Sequence, residues 1–560
     1  MTFEKTFRTN FSYDIGGVTK RTNQPLNEDF TFTLEVSKDR IYGTLRALKP
    51  LTMRTLYISE ERWYGENDLF FANGFQSWTT TREWTKHDTL PGLNPVFFNS
   101  WMKDKAGLTA DYSWGLYGRE GIFNSYTFCY FRKKESPNIK LYGSRTERHG
   151  YTIFTADMHG LFTIRKEIDG LELKEGQEYE VFDICIVEDD YDTAFDKYFF
   201  DFLGVKKPKV DRLAGYTSWY NYYSKISEDI ILRDLDAMDP ASDLTQIFQI
   251  DDGFQTKTGD WLDIDPEKFP HGLQPIVEKI HAKGYKAGLW LAPYCAAISS
   301  KVAKAHPEWM IKNPNGKPRY SHFGWGGAYA MDIYNEEARA YIKHFFDVVL
   351  NEWGFDMVKL DFLFTQAELP RNGKTRGEIM CDGIDFLREC CGDKIILGCG
   401  VPLGPCFGIF DACRIGADSS RTFEGDFLNK LKINNEIPCS YNAVLNSVFR
   451  HGLDGRAFAN DPDVFFLRDE NLTYTLEQKM LLAKVNDITG SILFVSDNMG
   501  NYDTQKMNML RHIFEDKKSR VLHVEPITTD DIEITFEENG ERKVLSFNLK
   551  NGTGNVSKVF

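Results

Sequence analysis

Residues 357–364, M-V-K-L-D-F-L-F, form a run that is apolar or aromatic except at Lys359 and Asp361, two positions apart. With Gly354 just upstream, the run predicts a short strand buried on both faces. Side chains alternate along a strand, so Lys359 and Asp361 share a face. A buried ammonium and a buried carboxylate are tolerable mainly because of each other. The expectation is that Lys359 holds Asp361 ionised and lowers its pKa. A carboxylate kept anionic in apolar surroundings can act as a nucleophile. It can equally be half of a structural ion pair, and these residues alone do not choose between the two.

The elements that must position this pair follow from the rhythm of the chain. Eight short apolar runs recur at 216–219, 246–250, 287–291, 357–360, 395–398, 413–416, 456–459 and 492–495. Helical stretches separate most of them, for example 273–283 before Gly284 and 336–352 before Gly354, each ending at a glycine suited to a C-terminal cap. Strand–helix alternation implies parallel strands, and eight units are what a closed (β/α)8 TIM barrel needs. The long gap between the third and fourth runs predicts a loop insertion around 299–330. The gap between the fifth and sixth is short and rich in Gly and Pro, with little room for a helix.

On either side the texture is β. Residues 29–36, 150–155 and 179–184 alternate apolar and polar with turn residues between them, which predicts an N-terminal antiparallel β-sandwich over 1–205. The polar K-K-P-K at 206–209 reads as a linker into a catalytic barrel spanning 206–515. A last helix over 502–515 leads to a small C-terminal antiparallel β domain at 516–560, whose E-N-G-E at 538–541 is a hairpin turn. Within the sandwich, N-G-F-Q-S-W at 73–78 runs into three threonines and reads as a loop. Its Trp78 either covers a domain interface or reaches into a site.

Barrel chemistry sits at the C-terminal ends of the strands. Asp251 and Asp252 fall at the end of the second strand, and Trp219 at the end of the first. Trp290 lies on the third, Asp361 ends the fourth, Cys399 the fifth, and Asp418 follows the sixth, four residues after Arg414. Four carboxylates, two cations and several aromatics thus meet on one rim, and carboxylates so close need different environments to carry different charges. One division of labour makes Asp361 the charged nucleophile and Asp418 the proton carrier, the pair that glycoside cleavage requires. Asp251 and Asp252 would then accept hydrogen bonds from ring hydroxyls, with Trp290 as an apolar wall. Taken singly, an Asp after a strand is also a common helix cap or turn residue. No metal is expected, because no histidine is placed on the rim and Lys359 and Arg414 repel a cation.

Composition narrows the partners. The 560 residues carry a formal charge of -15, with no basic run for a nucleic-acid backbone. Aromatic content is 14%, which fills cores first and also suits stacking on sugar rings. No apolar stretch reaches membrane-spanning length, and the charged first residues do not resemble a signal peptide, so a cytoplasmic location is expected, with the ten cysteines reduced. No C-x-x-C pair or zinc spacing occurs, and no cofactor is expected.

Taken in order, Q-I-D-D at 249–252, G-L-W-L-A-P at 288–293, K-L-D-F-L-F at 359–364, L-G-C-G-V-P at 397–402, R-I-G-A-D-S at 414–419 and N-D-P-D at 460–463 resemble the α-galactosidases of glycoside hydrolase family 36, in the melibiase clan. So does F-Q-S-W at 75–78, which in that family closes over the pocket from the sandwich. The likeness is to the short bacterial or archaeal form and covers nearly the whole chain. It implies a retaining double displacement with Asp361 as nucleophile and Asp418 as acid/base. It implies Asp251 and Asp252 on the C4 and C6 hydroxyls, Lys359 on C3 and C4, Trp290 near C6, and Trp78 reaching in. Cys399 and Arg414 would lie toward C2. The implied substrate is a small oligosaccharide with terminal α-galactose. The same carboxylates would also serve an α-N-acetylgalactosaminidase or a galactosyl transferase of the raffinose synthase type. Larger tetrameric members carry K-W-D-M-N-R and R-C-D where this chain has K-L-D-F-L-F and G-A-D, so the resemblance leaves the oligomeric state open.

Overall fold

The computed structural model describes residues 7–90, 118–425 and 439–559. In its first part, two seven-stranded antiparallel sheets face one another. Strand Phe30–Val36 turns Phe30 and Phe32 inward, as its alternation predicts. Strand Leu51–Glu61 buries Leu51, Met53, Leu56 and Ile58. The three-residue step from Met53 to Leu56 falls where the pairing with Arg8–Ile15 slips at Ser12 and Tyr13, so a bulge there restores the inward set.

The central parallel strands are Leu213–Thr217, Ile247–Ile250, Lys286–Leu291, Met357–Leu360, Ile395–Gly398, Ala412–Arg414 and Ile492–Val495, each paired in parallel with its neighbours. Two short strands stand at the two edges of this parallel sheet. Ala459–Asp461 pairs with Ala412–Arg414, while Val464–Phe465 pairs with Ile492–Val495. A run expected at 456–459 therefore lies a few residues later and is broken at Pro462, which cannot donate to a ladder. The first strand also ends at Thr217. Trp219 instead opens a one-turn helix, Trp219–Tyr222. The buried strand at Met357–Leu360 stands where it was expected.

The expected insertion is a three-stranded antiparallel sheet of Cys295–Ala297, Tyr320–His322 and Ala328–Ala330. Between the fifth and sixth strands only a short turn of helix, Gly404–Cys406, intervenes among regular elements. Helices Gln274–Ala282 and Glu336–Asp347 occupy the stretches where helices were expected, and Gly284 and Gly354 beyond them adopt φ of 83° and 84°. At the C-terminal end, Arg520–Pro526, Asp531–Glu538, Glu541–Asn548 and Thr553–Gly554 form a four-stranded antiparallel sheet. Asn539 and Gly540 both have positive φ, as a tight two-residue hairpin requires.

One side chain fastens the sandwich loop to the barrel. Arg450 follows helix Ser440–Phe449 and is 1% exposed. It donates to Asn73 Oδ1 at 3.1 Å, Gly74 O at 3.3 Å, Gln76 O at 3.1 Å and Ser77 O at 2.6 Å, and to Ile415 O just beyond the sixth strand at 2.8 Å. Burial pulls its pKa below the usual guanidinium value, and these neutral acceptors compensate the charge. Ser77 also exchanges hydrogen bonds with Val401, its N–H reaching the carbonyl at 3.1 Å and its hydroxyl accepting at 3.2 Å. The 73–78 segment is thus a loop pinned to the ends of two barrel strands. Arg450→Met takes a donor from five buried oxygens, of which Gln76 O keeps the N–H of Thr79, and is expected to destabilise the protein by about 3 kcal/mol or more. A fall in the urea midpoint, followed by tryptophan fluorescence, measures this.

Candidate active site

The ends of four strands bring the charged residues together. Ile247–Ile250 delivers Asp251 and Asp252. Asp251 Oδ2 accepts from Lys359 Nζ at 2.9 Å and from Gln249 Nε2 at 2.9 Å, while its backbone N–H donates to Ser218 Oγ at 2.9 Å. Lys359 is 5% exposed. Burial works against its charge, but the Asp251 carboxylate outweighs that and holds the ammonium above the ordinary lysine range. Asp252 accepts from Gln255 Nε2 at 2.6 Å and from the indole N–H of Trp325 at 3.1 Å. Burial still raises its pKa, against the pull of those two donors.

Asp361 stands just past Met357–Leu360. Its Oδ2 accepts from Trp290 Nε1 at 3.1 Å and its Oδ1 from the N–H of Phe362 at 2.7 Å. Phe362 has φ of 54°, a left-handed conformation that a bulky residue rarely adopts. The expected partnership with Lys359 is corrected here. Lys359 forms its ion pair with Asp251, beyond the strand two places away in the sheet, and the Asp361 pKa is raised, not lowered. Burial is the largest cause. Lys359 pulls the other way from a distance, and the charge of Asp418 adds to the rise.

Arg414, on the sixth strand, gathers three carboxylates. Its Nη1 donates to Asp418 Oδ1 at 2.6 Å, its Nε to Asp461 Oδ2 at 3.3 Å, and its Nη2 lies 2.6 Å from Asp463 Oδ1. The Asp418 side chain is 34% exposed, whereas Asp361 is 8% exposed. Asp418 therefore reaches solvent, and Asp361 is shielded from it. Cys399 is buried beside Asp361, Arg414 and Lys359, and burial raises its thiol well above the ordinary value.

Aromatic rings wall the mouth. Trp78 meets Phe362 edge-on at 5.3 Å and Phe364 at 5.9 Å. Trp290 lies 6.1 Å from Trp325, and Trp325 meets Phe362 at 5.0 Å. Trp219 packs edge-on to Tyr223 at 5.1 Å. Among the described residues the indole N–H of Trp78 has no acceptor. Two members of this wall escaped the sequence reading. Trp325 and His322 lie in the insertion, and the only local signal was the F-G-W-G-G run at 323–327, where Trp325 itself has φ of 58°. His322 lies tilted against Phe362 with ring centroids 4.4 Å apart, so the expectation of no histidine on the rim is also corrected. The cause is the insertion folding back over the strand ends. Among the described residues no group of three or more His, Cys, Asp or Glu could hold a metal ion.

Residues 217–379 match the family model described as Melibiase. Among curated proteins, the chain is 33% identical over 148 residues to an A type blood α-D-galactosamine galactosaminidase of Flavonifractor plautii, covering 25% of this chain and 14% of that protein. It is 30% identical over 123 residues to α-galactosidase 1 of Pediococcus pentosaceus, covering 21% of this chain and 16% of that protein. The matched stretches thus span under a fifth of either relative. Among solved structures, the fold is similar to TtGalA, an α-galactosidase from Thermus thermophilus in complex with p-nitrophenyl α-D-galactopyranoside. That similarity has a TM-score of 0.70 at 22% identity and covers 95% of this chain and 98% of that one. It is also similar to the family 36 α-galactosidase AgaA of Geobacillus stearothermophilus, with a TM-score of 0.62 at 11% identity over 96% of this chain and 81% of that one. The resemblance expected from the motifs is borne out.

Burial pushes the His322 imidazole down to about 4, and its Nδ1 accepts from the N–H of Gly324 at 2.9 Å. Between about pH 6.5 and pH 4 the unfolded chain binds this proton and the folded chain does not, so stability falls as pH falls through that window. His322→Gln removes that loss. Its unfolding free energy between pH 7 and pH 4 is expected to fall by up to about 3 kcal/mol less than the wild type's in paired urea titrations.

Proposed function

We propose that this chain, whose centre is a melibiase segment set in the fold of the family 36 α-galactosidases, is a retaining exo-α-galactosidase acting on small oligosaccharides. The observation that carries this reading is the pairing of two unlike carboxyls. Asp361 is buried and held by two N–H donors, while Asp418 is partly open to solvent on Arg414, and the charge of one bears on the other. That is the difference in environment a nucleophile and an acid/base need.

In the first step Asp361 attacks the anomeric carbon as Asp418 gives its proton to the departing glycosidic oxygen. A covalent galactosyl ester results. In the second step Asp418, now ionised, takes a proton from water, whose oxygen attacks the same carbon and frees Asp361. Burial makes the Asp361 anion costly in the free protein, and forming the ester removes that charge. The N–H groups of Trp290 and Phe362 keep the anion available and aimed. The carboxyl carbons are expected near the roughly 5–5.5 Å separation of retaining enzymes.

Asp251 and Asp252 accept from the C4 and C6 hydroxyls of galactose. Lys359, already fixed on Asp251, donates toward C3 and C4. Trp290 packs near C6, Trp78 offers its unpaired indole N–H from the sandwich loop, and Trp219 completes the wall. Cys399 and Arg414 border C2. A solved complex of TtGalA contains stachyose, which supports raffinose-type oligosaccharides as substrates here. The reading includes a sandwich over 1–205, a barrel over 206–515, a C-terminal β domain over 516–560, and a cytoplasmic setting. Among the described residues no helix is long and apolar enough to cross a membrane.

Asp361→Gly is expected to lower kcat on p-nitrophenyl α-galactoside by roughly 10³-fold or more. Added azide or formate, filling the space left by the carboxylate, should restore part of it. Wild-type rates in this variant would remove Asp361 from the nucleophile's role. The same plate, run with the α-N-acetylgalactosaminide, reports which C2 substituent is accepted.

A further inference from the structure

An ion pair with arginine suits a base better than an acid. The Arg414–Asp418 contact at 2.6 Å favours the carboxylate, yet the proposed reaction asks Asp418 to hold a proton before the first step. What opposes that bias is on the same guanidinium. Asp463 contacts Arg414 at 2.6 Å as an ion pair rather than an aligned hydrogen bond, and Asp461 lies at 3.3 Å. Both are 1% exposed, so water does little to screen them.

Asp463 also grips the backbone of the acid/base segment. Its Oδ2 accepts from the N–H of Ser419, the residue after Asp418, at 2.7 Å. Its own N–H donates to Asp461 Oδ1 at 2.9 Å. Asp463 takes φ of 81°, a conformation uncommon outside glycine, which turns it back toward Arg414 directly after Pro462. The broken seventh strand is what places it there, since the chain leaves one ladder at Asp461 and joins the next at Val464.

We propose that Asp463 is a positioning residue for the acid/base: it shares the Arg414 guanidinium with Asp418 and holds the backbone beside it, so that Asp418 remains able to carry a proton. This rests on the hydrolase reading above. The groups facing Asp418 are Arg414, Asp361, Asp463, Tyr220 and Cys399. Those facing Asp463 are Arg414, Asp418, Asp461, Tyr220 and Tyr474. Three carboxylates around one guanidinium leave an excess of negative charge when all are ionised, so they titrate as a coupled set. Burial, with Asp418 and Asp461 adding to it, raises the Asp463 pKa against the pull of Arg414.

The test compares pH profiles of kcat/KM for the wild type, Asp463→Asn, Asp463→Glu and Asp461→Asn on raffinose and on p-nitrophenyl α-galactoside. Raffinose needs its leaving oxygen protonated, whereas p-nitrophenolate leaves with little help. Asp463→Asn takes one anion off Arg414 and leaves that guanidinium to Asp418. Its basic limb on raffinose is expected to move to lower pH by about one unit. At pH 7 it should lose about tenfold more activity on raffinose than on the aryl galactoside. Asp463→Glu is expected to return the limb toward the wild-type position, and Asp461→Asn to shift it in the same direction by less. If Asp463→Asn does not fold, by circular dichroism and melting, the Asp461→Asn limb decides. A raffinose limb that stays in place in every folded Asn variant, with both substrates falling equally, overturns the role of Asp463 and leaves the hydrolase reading standing. A wild type inactive on both substrates overturns that reading, and this inference with it.

Discussion

Six carboxylates, Asp251, Asp252, Asp361, Asp418, Asp461 and Asp463, share the rim of the parallel strands with two cations, Lys359 and Arg414. Unscreened like charges at such density would oppose folding. The structure resolves this by giving each carboxylate a different set of donors. Asp251 takes Lys359, and Asp252 takes Trp325 and Gln255. Asp361 takes Trp290 and a backbone N–H, and the remaining three divide Arg414. Environments so unlike are also what lets neighbouring carboxyls play different chemical parts. The arrangement that makes the rim foldable is therefore also the one on which the proposed chemistry draws.

Those donors arrive from far apart in the chain, so the rim depends on how its parts are docked. Arg450 is central to that docking. It ties the carbonyls of the 73–77 loop to the end of the sixth strand, two residues before the segment that carries Asp418 turns away. Asn446, one helical turn earlier, accepts from the N–H of Thr81 at 2.9 Å and donates to Trp78 O at 3.4 Å. Trp78 thereby rests on Phe362, the residue whose N–H donates to Asp361. A loop of the sandwich and the candidate nucleophile are two ends of one packed chain of contacts.

Much of this was legible beforehand because it depends on local pattern. The short apolar run at 357–360, the glycines closing two helices and the Asn539–Gly540 turn are properties of a few adjacent residues, and each formed where its pattern placed it. The seventh strand was misplaced because Pro462 divides it and its halves pair with different neighbours, which periodicity does not register. Trp325 and His322 went unseen because an insertion has no period, and nothing in its own residues says which surface it will fold onto.

The sequence by itself determined at which strand ends the candidate carboxylates stand, because alternation along a strand and order along the chain are local. Only the tertiary structure decided their partners. Lys359 lies two residues from Asp361 and yet bonds Asp251, 108 positions away, because their strands flank Lys286–Leu291 in the sheet and alternate strands turn side chains into one shared interior layer. The charge state of each rim carboxyl follows from that choice and from its burial, and both are set by packing between distant segments.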